Sequence, residues 1–350
     1  MNLKSRYIGI LALVTALFVA ACEKAPEQIS LEGKTMGTTY HIKYIDDGKV
    51  SNLPSPEKIQ EALDKLLVDV NDQMSTYQKD SVISQFNSSE EINKPFLISD
   101  DFAKVVKEGI KLNDVTEGAL DITIGRLVNL WGFGPDKRLN REPSAEKIAE
   151  YAKSVGIHNI ELTVNNGQTF LIKKEPHVYI DLSSIAKGFG VDKLSEYFEQ
   201  LNVANYLVEI GGEIRGKGKN LSGTDWRISI EKPEFTQGTT SQIVVPLHNL
   251  AMATSGNYRN YFEDENGDRL SHIIDPKILR PISHNLASVT VFSDKTMTAD
   301  GLATGLFVLG PEKALEIAEK EELAIFLIIK TEQGYTTEMS SKFKKLTEQQ

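Results

Sequence analysis

The chain has a single cysteine, Cys22, so no disulfide can hold any part of it, and its stability must come from a hydrophobic core. A chain of 350 residues, 40% of them apolar, can build that core as one large unit, and no compositional break marks a linker. Lys4 and Arg6 precede an apolar run from Tyr7 to Val19, and the small residues Ala20 and Ala21 lead into Cys22, which is the order of a secretory signal. The run is shorter than the roughly 20 residues a membrane-crossing helix needs, so cleavage is expected. Val19-Ala20-Ala21-Cys22 also has the form of a bacterial lipobox, in which the cysteine is acylated and becomes the new N-terminus. More than one acyl chain then gives stable anchoring. The competing reading is an ordinary signal with an incidental cysteine. The expected division is a signal peptide over residues 1–21, a lipidated tether over 22–30 and the exported domain over 31–345. A net charge of −10 without a basic cluster argues against binding nucleic acid or anionic lipid as the main task.

Hydrophobic spacing then orders the domain. Leu31 to Ile45 alternates as a strand would, interrupted at Gly37-Thr38-Thr39, and Pro56 to Met74 has helical spacing. A second helix starts at Asp100, capped by Ser99 or Asp100, and stops at Gly118; Ser144 caps a third, through Tyr151. Ile160 to Ile172 reads as a hairpin turning at Asn165-Asn166-Gly167, with more short strands from Tyr206 to Val245. Helices are expected over Ser184 to Leu201, Thr298 to Leu309 and Pro311 to Glu319, then strands over Leu323 to Ile329 and Tyr335 to Met339. Strands follow strands more than they alternate with helices. That order favours an α+β fold of mainly antiparallel sheets with packed helices.

Four segments carry candidate chemistry. Asp181 to Gly190 puts an acid at a strand end, hydroxyls at a helix start and Lys187 on the first turn. Backbone N–H groups from Ser183 onward could meet a phosphate, with Lys187 adding a charge-assisted bond; a capped helix with a surface lysine is equally open. Glu209 to Arg215 holds adjacent glycines where a strand should continue, suggesting a bulge near a bound group or a plain sheet bulge. Asp300 and Thr304 are four apart, so on a helix they share a face, and a carboxylate with neutral oxygens suits Mg²⁺. Simple capping by Asp300 is the alternative. His272, three residues before Asp275, could accept a proton from an attacking hydroxyl. The chain has no G-x-S-x-G elbow, no H-E-x-x-H helix and no Walker loop.

In order along the chain, these segments resemble the FAD:protein FMN transferases, the ApbE family of flavin-trafficking lipoproteins. The resemblance rests on Gly33 to Thr38, Ser75 to Tyr77, Ser81 to Ser84 with Phe86-Asn87, Gly118 to Thr123 and Leu130 to Gly134. It continues through Asp181 to Gly190, Glu209 to Arg215, Ala253 to Gly256 with Tyr258-Arg259, His272 to Pro276 and Ala299 to Leu309. It implies a single ApbE-like domain in which Met36, Tyr77, Ala119, Leu120, Asp121, Asp181, Lys187 and His272 line an FAD site. Ser184, through a side chain or a backbone carbonyl, would hold Mg²⁺ with Asp300 and Thr304. The implied reaction takes FAD as substrate, joins FMN to a Thr or Ser hydroxyl of an acceptor protein and releases AMP, with His272 as base. Acceptors in the family resemble membrane respiratory flavoprotein subunits with a short Asp…Ser/Thr-Gly-Ala-Thr/Ser sequence. The implied location is lipid-anchored and periplasm-facing, at the inner membrane rather than the outer.

Two departures from the family pattern matter. After Asp275-Pro276 the family has Thr-Gly, whereas here Lys277-Ile278-Leu279-Arg280 must close the turn without glycine. Some relatives also carry an acid where Ala303 stands, so a single Mg²⁺ is expected here. Two other functions fit the same segments: an FAD pyrophosphatase, in which water replaces the acceptor hydroxyl, and a flavin-binding lipoprotein without chemistry. A lipoprotein that binds some other solute leaves the Asp300/Thr304 pair without a reason.

Overall fold

The computed structural model describes residues 25–135, 142–231, 242–256, 261–263 and 269–348. The expected signal, Cys22 and the Tyr258-Arg259 pair lie outside these residues.

One sheet of eight strands organises the molecule. Its strands are β1 (Glu27–Thr35), β2 (Thr38–Asp46), β3 (Tyr206–Ile210), β4 (Glu213–Lys217), β5 (Ala251–Gly256), β6 (Leu286–Ser293), β7 (Ala324–Thr331) and β8 (Gly334–Met339). They lie side by side in that order, and every neighbouring pair is antiparallel. The expected α+β architecture is therefore observed. Four helices position the site: α1 (Pro56–Met74), α2 (Asp100–Val115) and α3 (Ala186–Gln200), all between β2 and β3, and α4 (Thr296–Leu309), which follows β6. A smaller sheet of Phe96–Ile98, Gln168–Lys173 and Ile160–Asn165 stands beside them, and its hairpin turns at Asn166-Gly167 as expected.

Local sequence explains the helices. In α1 the buried residues Ile59, Leu63, Leu67, Val70 and Met74 repeat at steps of three and four, and Pro56 sits at its start, where its missing N–H is harmless. Ser99 caps α2, its Oγ accepting from the Phe102 N–H at 3.0 Å, while Asp100 and Asp101 complement the helix dipole.

The sheet is buried on both faces. Ile325, Leu327 and Ile329 of β7 join a core with Leu302 and Leu306 of α4, while Ala324, Phe326 and Ile328 join another with Trp226, Val245, Leu247 and Phe343. Trp226 and Val245 belong to a covering hairpin, Trp226–Glu231 with Gln242–Leu247, and Phe343 to the terminal helix Ser341–Glu348.

Several sequence expectations change here. Residues 27–30, expected in the tether, already pair with β2: Gln28 faces Ile45 and Ser30 faces Lys43. The tight turn at Met36-Gly37, both residues at positive φ, extends pairing along the whole of β2, and Ile29 packs on the core around Tyr40. Gly211 and Gly212 are not a bulge. With φ of 58° and 100° they form a two-residue turn between β3 and β4, closed by the pair Ile210 and Glu213. Strands β5 and β6 and the helices Val82–Ser88, Gly125–Leu130 and Ser341–Glu348 are elements the periodicity did not mark.

Candidate active site

The turns β1–β2 and β3–β4, the approach to α3, the inner face of α4 and the segment around His272 converge on a cavity of about 590 Å³. All eleven residues named above for flavin, metal and base line it. Met36 enters from the β1–β2 turn, and Tyr77, just past α1, stands at the rim with 68% of its surface exposed. Its partial burial and the Asp181 carboxylate push its phenol pKa up, which keeps it protonated at neutral pH.

Ala119, Leu120 and Asp121 come from the loop after α2. The Asp121 Oδ1 accepts from the Thr123 N–H at 2.8 Å and the Thr123 hydroxyl at 2.6 Å. Burial raises the pKa of this carboxyl, and the two Thr123 bonds oppose the rise. The Asp181 N–H donates to the Ile122 carbonyl at 2.8 Å, which ties the two acidic loops together.

Past Asp181 the structure corrects the sequence reading. The Asp181 Oδ1 accepts from the Ser183 N–H at 2.8 Å and from its hydroxyl, so that N–H is not available to an anion. These bonds shape a turn, and α3 starts at Ala186 instead of Ser184. Nor is Lys187 a free surface lysine. Its ammonium pairs with Glu213 and lies 3.9 Å from the Asp300 Oδ1.

Glu213 and Asp300 are both buried, which pushes both carboxyl pKa values up, with Lys187 opposing. Burial alone would lower the lysine's pKa, but Asp300 and Glu213 outweigh it and hold Lys187 protonated. Asp300 does not cap its own helix. Its Oδ2 reaches across to accept from the Gly188 N–H at 2.9 Å. One turn further, the Thr304 hydroxyl lies 3.1 Å from the Ser255 hydroxyl of β5. Ala303 is buried in the core and does not line the cavity.

The backbone just after His272 is fixed by both polar groups of Ile273. The Ile273 N–H donates to the Ser271 Oγ at 3.2 Å, and the Ile273 carbonyl accepts from Ile282 N–H at 3.1 Å. The Asp275 Oδ1 accepts from the Lys277 N–H at 2.7 Å, so this carboxylate shapes its own turn. That turn closes without glycine because Leu279 takes a left-handed φ of 61°. A non-glycine residue pays on the order of 1 kcal/mol there. Bonds from the Leu279 N–H to the Asp275 carbonyl at 2.8 Å and from the Trp131 indole to the Leu279 carbonyl at 3.1 Å offset it.

The residue that sequence reasoning left without a role is Glu213. It stood inside a recognised segment, but only the β3–β4 turn aims it at Lys187, 26 positions away.

The donor set fits a hard divalent cation. The Asp300 carboxylate and the Thr304 hydroxyl share the cavity face of α4, and Ser184 lines the same cavity. Two buried carboxylates against one lysine leave an excess of negative charge when all are ionised. No group of three or more His, Cys, Asp or Glu side chains suited to a metal occurs among the described residues. A cation held by one carboxylate and neutral oxygens would complete its coordination with water and substrate phosphate, as Mg²⁺ commonly does.

Comparisons with known proteins bear on the family. The sequence model of the ApbE family matches residues 36–327. An FAD:protein FMN transferase of Haemophilus influenzae is 56% identical over 346 residues, covering 99% of each chain. One from Vibrio cholerae is 48% identical, covering 96% of this chain and 97% of that one. Among solved structures, the flavin transferase ApbE from Vibrio cholerae superposes with a TM-score of 0.83 at 46% identity, over 91% of this chain and 99% of that one. The Pseudomonas stutzeri flavinyl transferase ApbE gives 0.83 at 37% identity, over 92% and 97%.

Proposed function

The chain belongs to the ApbE family, and on that premise we propose that it is an FAD:protein FMN transferase that modifies a threonine or serine hydroxyl and releases AMP. The observation that carries this reading is that one cavity gathers every residue assigned above, with Lys187 paired to the buried Glu213 and close to the buried Asp300. Lys187 offers a fixed positive charge to a pyrophosphate, and Met36 and Tyr77 offer apolar and aromatic surface to a flavin nucleotide. Mg²⁺, held by Ser184, Asp300 and Thr304, would neutralise phosphate charge and stabilise the departing AMP. His272 accepts the proton of the acceptor hydroxyl. The freed oxygen bonds to the FMN phosphorus, the bond from that phosphorus to the bridging oxygen breaks, and AMP leaves with the electron pair.

The test is direct. Incubating the protein with FAD, Mg²⁺ and an acceptor domain carrying the Asp…Ser/Thr-Gly-Ala-Thr/Ser sequence should add one FMN group to the acceptor by mass spectrometry, with AMP formed in equal amount. Free FMN and AMP without acceptor modification would make the chain a pyrophosphatase. Bound flavin without AMP would make it a carrier.

The acceptors in this reading are membrane respiratory flavoprotein subunits, met by a domain anchored through lipid on Cys22 and facing the periplasm, at the inner membrane. Cys22 precedes the first residue of β1 by five positions, so at full extension the domain starts within about 18 Å of its anchor. Cys22→Ala is expected to leave an unprocessed or soluble protein with unchanged thermal stability, read by membrane fractionation and a melting curve. A processed, membrane-bound Cys22→Ala protein would remove the anchor.

A further inference from the structure

Asp192 is 3% exposed, and the transfer chemistry above does not use it. It sits on α3, yet its hydrogen bonds serve α4. That helix starts without a cap of its own, because the preceding residue, Lys295, makes no side-chain capping bond. The Asp192 Oδ1 accepts from the Thr296 N–H at 2.9 Å, and Oδ2 accepts from the Met297 N–H at 3.0 Å. A carboxylate 104 positions earlier in sequence thus fills the place of an N-cap and meets the positive end of the helix dipole.

Three further contacts make this cap specific. Arg215 Nη1 donates to the Asp192 Oδ1 at 3.2 Å, holding the carboxylate from behind. Arg215 is two residues past Glu213 on β4, so one strand face supplies a member to each charged cluster. At Gly188, α3 and α4 approach so closely that a Cβ there would lie 2.4 Å from the Thr296 carbonyl oxygen, which leaves room only for glycine. The Asp300 bond to the Gly188 N–H, at 2.9 Å, ties the helices together a second time. Asp300 lies one turn after Thr296, and Thr304 one turn after that. Displacing the first turn of α4 therefore displaces both proposed ligands.

We propose that Asp192 is a positioning residue for the cation site: by capping α4 from α3 it sets the axial position and rotation at which Asp300 and Thr304 face the cavity. The proposal rests on reading Asp300 and Thr304 as cation ligands. Arg215 fixes the capping carboxylate, and Gly188 fixes the distance between the two helices.

The full chain with Asp192→Asn and Asp192→Ala separates positioning from simple stability. Asn keeps one oxygen for the helix N–H groups, whereas Ala keeps none. The measurements are Mn²⁺ binding followed by electron paramagnetic resonance with FAD present, the Mg²⁺ concentration for half-maximal transfer, FAD affinity and the melting temperature. Supporting side chains behind a metal site typically alter its affinity by about 10- to 100-fold. Asp192→Ala is expected to weaken Mn²⁺ binding and raise the half-saturating Mg²⁺ by about that factor, with Asp192→Asn between it and wild type. Excess Mg²⁺ should restore most transfer in Asp192→Asn but none in Asp300→Ala. A lower melting temperature with wild-type Mn²⁺ affinity would overturn the proposal and leave Asp192 a structural cap. If Asp192→Ala does not fold, Asp192→Asn alone decides on the same readouts. Wild-type protein that binds no Mn²⁺ in the presence of FAD would overturn the cation site itself and the proposal with it.

Discussion

Asp300→Ala is expected to fold and to lose FMN transfer by about 10³-fold or more, the scale of removing a charge that stabilises a departing phosphate. Its fold should survive because the buried cluster becomes better balanced: Lys187 then faces Glu213 alone. The local cost is the lost acceptor for the Gly188 N–H, about 1–3 kcal/mol for a buried group left unbonded. Asp300→Asn separates charge from hydrogen bonding, since its amide oxygen can still accept from Gly188. We therefore expect Asp300→Asn to melt near the wild-type temperature while sharing the loss of transfer. Parallel melting curves and flavinylation assays test this. Full activity in either variant, or wild-type activity unchanged in excess chelator, would remove the metal from the mechanism.

His272→Ala is expected to lower FMN transfer by about 10²- to 10⁴-fold while FAD affinity and melting temperature stay close to wild type. A threonine alcohol is a poor nucleophile until a base takes its proton, and histidine is the side chain that most often does so. The backbone beside His272 is held by Ser271 and Ile282, so the ring can be lost without collapse of the segment. A structural histidine would instead lower stability and FAD affinity together. Near-normal transfer by folded His272→Ala protein would end its assignment as base and turn attention to Asp181 or Asp275. Both those carboxylates already hold backbone N–H groups, of Ser183 and Lys277.

Local signals in the sequence were enough for elements whose determinants lie within a few residues of each other. The apolar stripe of α1, the Ser99 cap of α2 and the Asn166-Gly167 turn belong to that class. So does the helical spacing of Asp300 and Thr304, which brings both onto the cavity face. Strands β5 and β6 were not legible because alternation marks a strand only when one face meets water. Nearly every residue of Leu286–Ser293 is buried, so the short alternation of Ala287 to Val291, flanked by the apolar neighbours Leu286 and Phe292, does not separate a wet face from a dry one. The adjacent glycines of 211–212 showed that an unusual backbone was needed, but a turn and a bulge ask for the same residues, and only the pairing of Ile210 with Glu213 chose the turn. The rest of the site depends on groups far apart in the chain. Glu213 meets Lys187 because β4 runs under α3, and α4 starts at Thr296 because Asp192, carried on another helix, caps it there. Local spacing marked Lys187, His272, Asp300 and Thr304 as candidates, and the family resemblance supplied the rest of the proposed site. Which charges face each other, and where the helix bearing Asp300 and Thr304 starts, was decided by tertiary structure, because buried charges and uncapped N–H groups are satisfied by whatever the packed fold brings beside them.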